Sequence, residues 1–585
     1  MRLLPFALLL ATAGCTTPLR SPPAAPVSTT ASAAAPVEVQ ILAINDFHGA
    51  LEPPKVAIGT QAPDGTKMEV PVGGAAYLAG AAKALRSGQE HSVTVSAGDT
   101  IGATPLPSAL FLDEPAIDAL DLVGVEFNAV GNHELDKGAE ELKRMQSGGC
   151  QKFTSRQPCR LQPFDGASFR MLAANVMTAS GETLFPGTAI KDFGPVQLGL
   201  IGMTLKETAT LVAPAGVEGL TFADEAAAAN AAVAPLKAAG ADAIVLLIHQ
   251  GARHKGGFND QSCPELSGDL LPVVDRLDPA IRVVISGHTH ASYVCTYRKP
   301  DGTSVLLTSA GRSGIMITDI RLALQPGGEL PVVRSAANVL VQGEGFSQGE
   351  KTVNITPAFR RFDADPATAE LVGRAVAASR AEAQRPVGRL SAAVTREVSP
   401  DREFTAGNLI ADAQLAWTRR HGAEVAFINS GGVRADLVPA ADGTVTFGQI
   451  FAMQPFGNNV VVKTLTGSQL LRLLEQQFAG PNSPEDPTIL LPSAGFNFRY
   501  DLTRPEGQRI VAAALHGKPV DRARSYRVTT NNFLASGGDG FTVFREGTDT
   551  IDAGVDVDAL EAYLKAGAKA PSLGRIRDVN APAGS

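Results

Sequence analysis

Val37-Glu38-Val39-Gln40-Ile41-Leu42-Ala43-Ile44 runs directly into Asn45-Asp46-Phe47-His48-Gly49. The first eight residues are rich in Val, Ile and Leu and bounded by polar chain, so they read as a buried strand. Asp46 and His48 stand two residues apart, which puts both side chains on one side of an extended segment. The glycine beside them lets the backbone come close to a bound ion. A buried strand that ends in a carboxylate and an imidazole fits an open α/β layer, where the site lies beyond the carboxyl ends of the strands.

The pattern recurs along the first half. A strand over 91–96 leads to Gly98-Asp99-Thr100-Ile101-Gly102, and one over 127–130 to Gly131-Asn132-His133-Glu134. Strands over 243–248 and 282–286 end in His249 and in Gly287-His288-Thr289-His290. Ala/Leu-rich segments at 75–85, 115–122 and 223–239 read as helices between strands, which indicates helices layered on a sheet. Five segments thus bring Asp, Asn and His to one edge.

Imidazole and carboxylate suit zinc, manganese or iron. One carboxylate can bridge two cations, and Asp99 is the candidate. Two ions about 3.5–4 Å apart can activate a water and clamp a phosphoryl oxygen for in-line attack. Singly these motifs are weak: Asp99 alone reads as a helix cap, and His288-Thr289-His290 alone as an exposed loop. The ordered set carries the argument. His91, His254, His421 and His516 read as structural.

The second half carries a different chemistry. A strand over 425–428 runs into Asn429-Ser430-Gly431-Gly432-Val433-Arg434. Arg434 offers a planar fork for phosphate, and Asn429 offers donor and acceptor groups to a ring or ribose. Gln454-Pro455-Phe456-Gly457-Asn458 and Asn532-Phe533-Leu534-Ala535-Ser536-Gly537-Gly538-Asp539-Gly540-Phe541 place two aromatics in Gly-rich loops rather than in periodic runs. Such rings can stack on a base.

The ordered metal-ligand set resembles the calcineurin-like metallophosphatase superfamily. With the second half it resembles the bacterial 5′-nucleotidase family, which includes periplasmic UDP-sugar hydrolases and surface nucleotidases. The resemblance implies an α/β fold: a four-layer metallophosphatase domain, a β-sandwich flanked by helices, followed by a smaller α/β substrate-binding domain. It implies two divalent metal ions, Zn, Mn or similar. Asp46, His48, Asp99 and His290 would hold the first, and Asp99, Asn132, His249 and His288 the second. His133 matches the histidine that stabilises the transition state or assists the leaving group. Asp136 matches the aspartate that orients it, and Glu134 reads as structural support. Asn429, Arg434, Phe456, Asn458, Phe533 and Asp539 match the substrate side, with Phe456 and Phe533 on the base and Asp539 on the ribose hydroxyls. Relatives supply further arginines just before Gly407–Ala413, where this chain has Pro400-Asp401-Arg402-Glu403-Phe404, so Arg402 is the candidate there.

Met1-Arg2, the apolar run 3–10 and Ala11-Thr12-Ala13-Gly14-Cys15 read as a secretion signal, with Cys15 as the lipidated residue of a lipoprotein. Residues 16–36 are a Ser/Thr/Pro/Ala-rich tether. The dimetal domain spans 37–330 and a linker with a connecting helix 331–385. The substrate domain spans 386–585. The helix begins at Asp365-Pro366, cap and first turn. Four cysteines remain for an oxidising compartment and allow three connectivities, of which the nearest-neighbour one is Cys150–Cys159 with Cys263–Cys295. With 51 Lys+Arg against 59 Asp+Glu, the net charge is −8, which argues against a nucleic-acid polymer as partner. The expected protein is an exported, metal-dependent 5′-nucleotidase, bacterial periplasmic or at the cell surface. The alternatives are a 2′,3′-cyclic phosphodiesterase/3′-nucleotidase, a UDP-sugar hydrolase, or a catalytically dead, lipid-anchored nucleotide-binding protein. Asp136 favours the first over the cyclic phosphodiesterase, whose members usually carry Asn there.

Overall fold

The apolar runs of the first half become the parallel centres of two six-stranded sheets. In one, Val37–Ile44, Ser92–Ser96, Phe127–Ala129 and Arg170–Leu172 run parallel, and Met316–Leu324 and Val332–Leu340 add antiparallel beyond Val37–Ile44. In the other, Gln197–Thr204, Ala243–His249, Ile281–Ser286 and Ser304–Ala310 are parallel, with an antiparallel strand at each edge. This is a computed structural model that describes residues 35–581 apart from 63–64, 155, 329, 349–350, 481 and 486. The leader, Cys15 and almost all of the tether therefore lie outside the described residues. Among those described, no helix is long and apolar enough to cross a membrane.

Ile41, Val95 and Leu322 of the first sheet pack with Leu200, Val245 and Ile285 of the second into one buried cluster between the sheets. The alternate residues Leu42 and Ile44 face outward, against Leu78, Ile117 and Leu120 of the helices Ala75–Arg86 and Glu114–Val123. Ile244, Leu246 and Ile248 do the same against Val233 and Leu236 of Glu225–Ala238. Both faces of each central strand are covered, which is why these strands read as continuous apolar runs. The result is helix, sheet, sheet, helix: the expected four layers.

The second half forms a five-stranded sheet, in which Val425–Asn429, Ser525–Asn531 and Asn459–Thr466 are neighbours, and a four-stranded one. Phe427, Phe478, Tyr500 and Tyr526 lie in its single large core cluster. The helix Pro366–Ala383 starts where the cap predicts, with Asp365 Oδ1 accepting from Thr368 N at 3.0 Å. The disulfides join Cys150 to Cys159 and Cys263 to Cys295, the pairing expected from proximity.

The first domain does not stop at residue 330. Val332–Leu340 is an edge strand of its sheet. Leu371 and Ala375 of the connecting helix are buried in the same cluster as Leu78 and Ile117. An edge strand with Val332 and Val333 exposed carries little of the apolar pattern that marks a central one. The helix end is tied to the second domain by Arg385, whose Nη1 donates to Glu561 at 2.7 Å.

The loop that carries Phe456 is anchored by a buried polar pair. Gln454 Nε2 donates to Asp556 Oδ2 at 3.2 Å, and Gln454 Oε1 and Asp556 Oδ1 are buried without a partner. Burial pushes the Asp556 carboxyl up to about 8. The folded chain therefore keeps a proton that the unfolded chain releases near pH 4. Its contribution to stability is complete below about pH 4 and is lost as pH rises toward 8. Asp556→Asn should flatten that decline and raise the calorimetric unfolding midpoint at pH 8 relative to the parent. A decline as steep as the parent's would contradict it.

Candidate functional site: two metal-ligand groups at a domain cleft

The loops after the strands are stitched together by their own backbone. Asp46 N donates to Gly98 O at 2.9 Å, His48 N to Asp99 O at 2.9 Å and Gly49 N to Thr100 O at 3.0 Å. Asp46, His48, Asp99, His288 and His290 all have positive φ, between 47° and 71°. Non-glycine residues persist there only when the surroundings over-determine them, and such strain clusters at functional sites. Glycines give the loops room. A Cβ on Gly131 would stand 2.3 Å from Asp99 Oδ1, and one on Gly98 2.7 Å from His249 Nδ1.

Two groups result. Donor atoms of Asp46, His48 and His290 lie within 4.8 Å of one another, and so do those of Asp99, His249 and His288. Asp99 links them: its Oδ2 is 3.0 Å from His249 Nε2 and 3.7 Å from His48 Nε2. Asn132 Oδ1 is 3.2 Å from His288 Nδ1, beside the second group. The ring tautomers are set from behind. His48 Nδ1 donates to Gly102 O at 2.9 Å and His249 Nδ1 to Ala97 O at 2.8 Å, which turns each Nε2 inward. All seven predicted ligands thus fall in this one place.

The donor set fits cations. His249 Nε2 is buried and has no hydrogen-bond partner, although Asp99 is beside it. Burial pushes Asp46 up to about 7 and the rings of His48 and His288 down to about 3. Buried carboxylates and imidazoles left uncompensated are costly, and coordination removes that cost.

Glu134 holds the loops rather than the ions. It is buried and accepts from Asp99 N (2.9 Å), Thr100 N (2.7 Å), Thr100 Oγ1 (2.7 Å) and Gly131 N (2.8 Å). His133 Nδ1 is 2.9 Å from Asp136 Oδ2. Burial works against a protonated His133, but Asp136 and Asp99 outweigh it and raise the ring above the ordinary histidine range.

Beside the second metal group, where Asn132 and His288 lie, is a cleft lined by both domains. Asn132, His133, Asp136 and His288 line one wall; Asn429, Arg434, Phe456, Asn458, Phe533 and Asp539 line the other. Every substrate-side residue predicted from sequence therefore reaches it. Asn429 Nδ2 donates to Asp539 Oδ2 at 2.5 Å, and burial pushes Asp539 up to about 6. The Phe456 ring stacks on His133 (centroids 5.7 Å apart, 19° between planes), and the Arg434 guanidinium lies 5.6 Å from the Phe456 centroid.

Arg402 is not part of this wall. It has a left-handed backbone, φ 63°, in a turn where its own N–H donates to Ser399 O at 2.8 Å. Arg396 is the arginine beside Arg434, with Nη1 3.5 Å from Arg434 O. Nothing in the local sequence distinguishes Arg396, because its neighbourhood arises from the bridge between Val394 and Leu437. Arg312, in Gly311-Arg312-Ser313-Gly314 after the strand Ser304–Ala310, also belongs here, with Nη1 3.5 Å from His290 Nδ1. That loop did carry a signal: it is a sixth glycine-flanked polar segment at the carboxyl end of a strand. Burial, followed by the charges of Arg312 and Arg396, lowers Arg434 to about 10.

Glu134→Gln removes one acceptor oxygen from the cage that fixes Asp99. It should weaken metal affinity by about 10–100-fold, the usual cost of losing an outer-shell partner. Metal titration followed by elemental analysis checks this, and parent-like affinity would contradict it.

The chain matches the calcineurin-like phosphoesterase family over residues 39–292 and the 5′-nucleotidase C-terminal domain over residues 382–546. It is 29% identical over 573 residues to cell wall protein Lmo0130 of Listeria monocytogenes, covering 92% of this chain and 68% of that protein. It is 25% identical over 574 residues to a 5′-nucleotidase of Diplobatis ommata, covering 91% and 88% of the two chains. A 5′-nucleotidase precursor of Thermus thermophilus superposes with a TM-score of 0.71 at 26% identity, over 93% of this chain and all of that one. With both domains matched in order and the strained ligand loops meeting at one cleft, the chain belongs to the 5′-nucleotidase family of calcineurin-like metallophosphatases, phosphoric monoester hydrolases that use two divalent cations.

Proposed function

We propose that this chain is an exported 5′-nucleotidase that hydrolyses nucleoside 5′-phosphates to nucleoside and phosphate. The observation that carries the reading is the shared cleft. Asn132 and His288 beside the second ligand group, with His133 and Asp136, line the same space as Arg434, Phe456, Phe533 and Asp539. A phosphoester at the metal groups then has its nucleoside within reach of the opposite wall. Two divalent cations held by these residues would supply Lewis acidity toward a phosphoryl oxygen and would activate a water as nucleophile.

The chain's own residues supply the rest. Asp46, His48, Asp99, Asn132, His249, His288 and His290 hold the cations, with Asp99 shared. Asp136 takes the His133 Nδ1–H, fixing the tautomer and leaving Nε2 to hold a proton toward a phosphoryl or leaving-group oxygen. Arg434 presents its fork to the phosphate. Asn429, Asn458 and Asp539 offer hydrogen bonds to ribose and base, and Phe456 and Phe533 offer ring faces. Phe456 rests on His133 in this structure, so a base that stacks on it displaces or shares that contact. Export and attachment through a lipidated Cys15 rest on the leader sequence.

Incubation with 5′-AMP, 3′-AMP, 2′,3′-cyclic AMP and UDP-glucose, with and without chelator, tests the reading. Phosphate should be released from 5′-AMP and the release abolished by chelation. Release that survives chelation, or none from 5′-AMP, would overturn it. His133→Asn should lower kcat by about 10²–10⁴-fold with both cations retained. Loss of metal instead would make His133 a support of the ligand loops. Phe456→Leu or Phe533→Leu should raise KM for 5′-AMP, by the equivalent of about 1–3 kcal/mol per lost stack, while leaving metal content unchanged.

A further inference from the structure

The loop that carries Phe456 leaves the helix Phe447–Met453 and runs into the strand Asn459–Thr466. Asp556, the first residue of the helix Asp556–Lys565, grips this loop at both ends. Asp556 N donates to Asn458 O at 2.8 Å, and Asp556 Oδ2 accepts from Gln454 Nε2 at 3.2 Å. Next to Gln454, Met453 O accepts the Arg434 backbone N–H at 2.9 Å. Phe456 and Asn458 line the cleft, whereas Gln454 and Asp556 lie behind it, 1% and 2% exposed.

Two acceptors are left over on this pair. Gln454 Oε1 and Asp556 Oδ1 are buried without a partner. A carboxylate cannot help, because it has no proton to give, and orphaned buried acceptors are destabilising. A carboxylic acid satisfies both at once. With Gln454 Nε2–H on Oδ2, an O–H on Oδ1 is the donor that Gln454 Oε1 lacks. Burial acts in the same direction and pushes this carboxyl up to about 8. The surrounding elements do not oppose the proton. The helix Phe447–Met453 has no titratable side chain. Among the described residues, the charge that acts on Asp556 is that of Asp558 on its own helix, and a like charge also favours the proton. The other charged groups on elements packed nearby have partners of their own. Asp552 of Thr548–Val555 accepts from Asn459 Nδ2 at 2.6 Å, Lys463 donates to Ala535 O at 3.4 Å, and Asp412 of Thr405–Thr418 accepts from Arg575 at 2.7 Å.

We propose that Asp556 is a positioning residue that works as a carboxylic acid: its proton bridges to Gln454 Oε1, and the two-armed pair so formed holds Phe456 and Asn458 in place for the nucleoside. The proposal rests on the nucleotide reading of the same cleft. Loss of the proton sets two acceptors against each other and leaves a buried anion, which loosens the loop. The protonated state is the competent one, so nucleoside affinity is full below about pH 8 and falls as pH rises through it.

Calorimetric titration of the metal-loaded full chain with adenosine tests this, since adenosine carries no phosphate and does not titrate between pH 7 and pH 9. The parent should bind about tenfold more weakly at pH 9 than at pH 7, following the fraction of protonated Asp556. Asp556→Asn, whose amide offers a donor and an acceptor at every pH, should change by less than about twofold. Asp556→Ala should bind weakly at both. His133 and other groups that titrate in this range are common to all three chains, so the difference isolates Asp556. A parent without the decline, an Asp556→Asn chain that declines with it, or an Asp556→Ala chain that matches the parent at pH 7 would overturn the proposal. Chymotryptic cleavage after Phe456 in the ligand-free, metal-loaded chain reads the loop without a nucleoside. At pH 9 the parent should be cut about fivefold or more faster than Asp556→Asn, because cleavage follows the population of the open loop, and at pH 7 the two should be cut alike. Equal rates at both pH values would also overturn the proposal. If adenosine does not bind, the proposed function fails on its own, and the cleavage comparison still decides the role of Asp556.

Discussion

One carboxylate oxygen organises the first domain's chemistry. Asp99 Oδ2 lies between an imidazole of each ligand group, and Asp99 Oδ1 accepts the His133 backbone N–H at 2.9 Å. The residue is 1% exposed; burial opposes its charge, but the imidazoles of His249, His133 and His48 outweigh it and hold the carboxyl below the ordinary carboxylate range. Ligand loops, His133 and Glu134 all take their positions relative to this one group. The left-handed backbone at five ligand positions is the cost of aiming so many side chains at so small a space.

The second constraint is division of labour between domains. The first domain is rigid where it must be, with strands buried on both faces and ligand loops hydrogen-bonded edge to edge. The substrate wall is built from loops of the second: 429–434 after a central strand, 454–458 after the helix Phe447–Met453, and 532–541 after Ser525–Asn531. Rings such as Phe456 and Phe533 are only half-buried there, as rings available to a ligand must be. The connecting helix serves both sides, buried through Leu371 and Ala375 in one domain and tied by Arg385 to Glu561 in the other.

Where the sequence was legible, the reason is local. Asp46 and His48, or Asn132 and His133, sit next to strands whose apolar pattern is unmistakable because both faces are covered. Their arrival at one edge follows from the α/β layer itself. The substrate loops were legible through glycine, proline and aromatic residues outside any periodic run. Val332–Leu340 was read as linker because an edge strand with one wet face has no comparable signature. Arg402 stands close in sequence to the 407–413 helix segment, but that closeness says nothing of which side chain lies beside Arg434, and Arg396 is the one that does.

The sequence by itself determined the class of fold, the residue types at the metal groups and the chemistry they serve, since each depends on neighbours within a few residues or on strand order. Only the tertiary structure decided which imidazole nitrogen faces inward, that Glu134 braces the loops of Asp99, that Phe456 lies on His133, and that Arg312 stands beside His290. Those facts depend on distances between segments up to a few hundred residues apart, and such distances are set by packing, which no local pattern records.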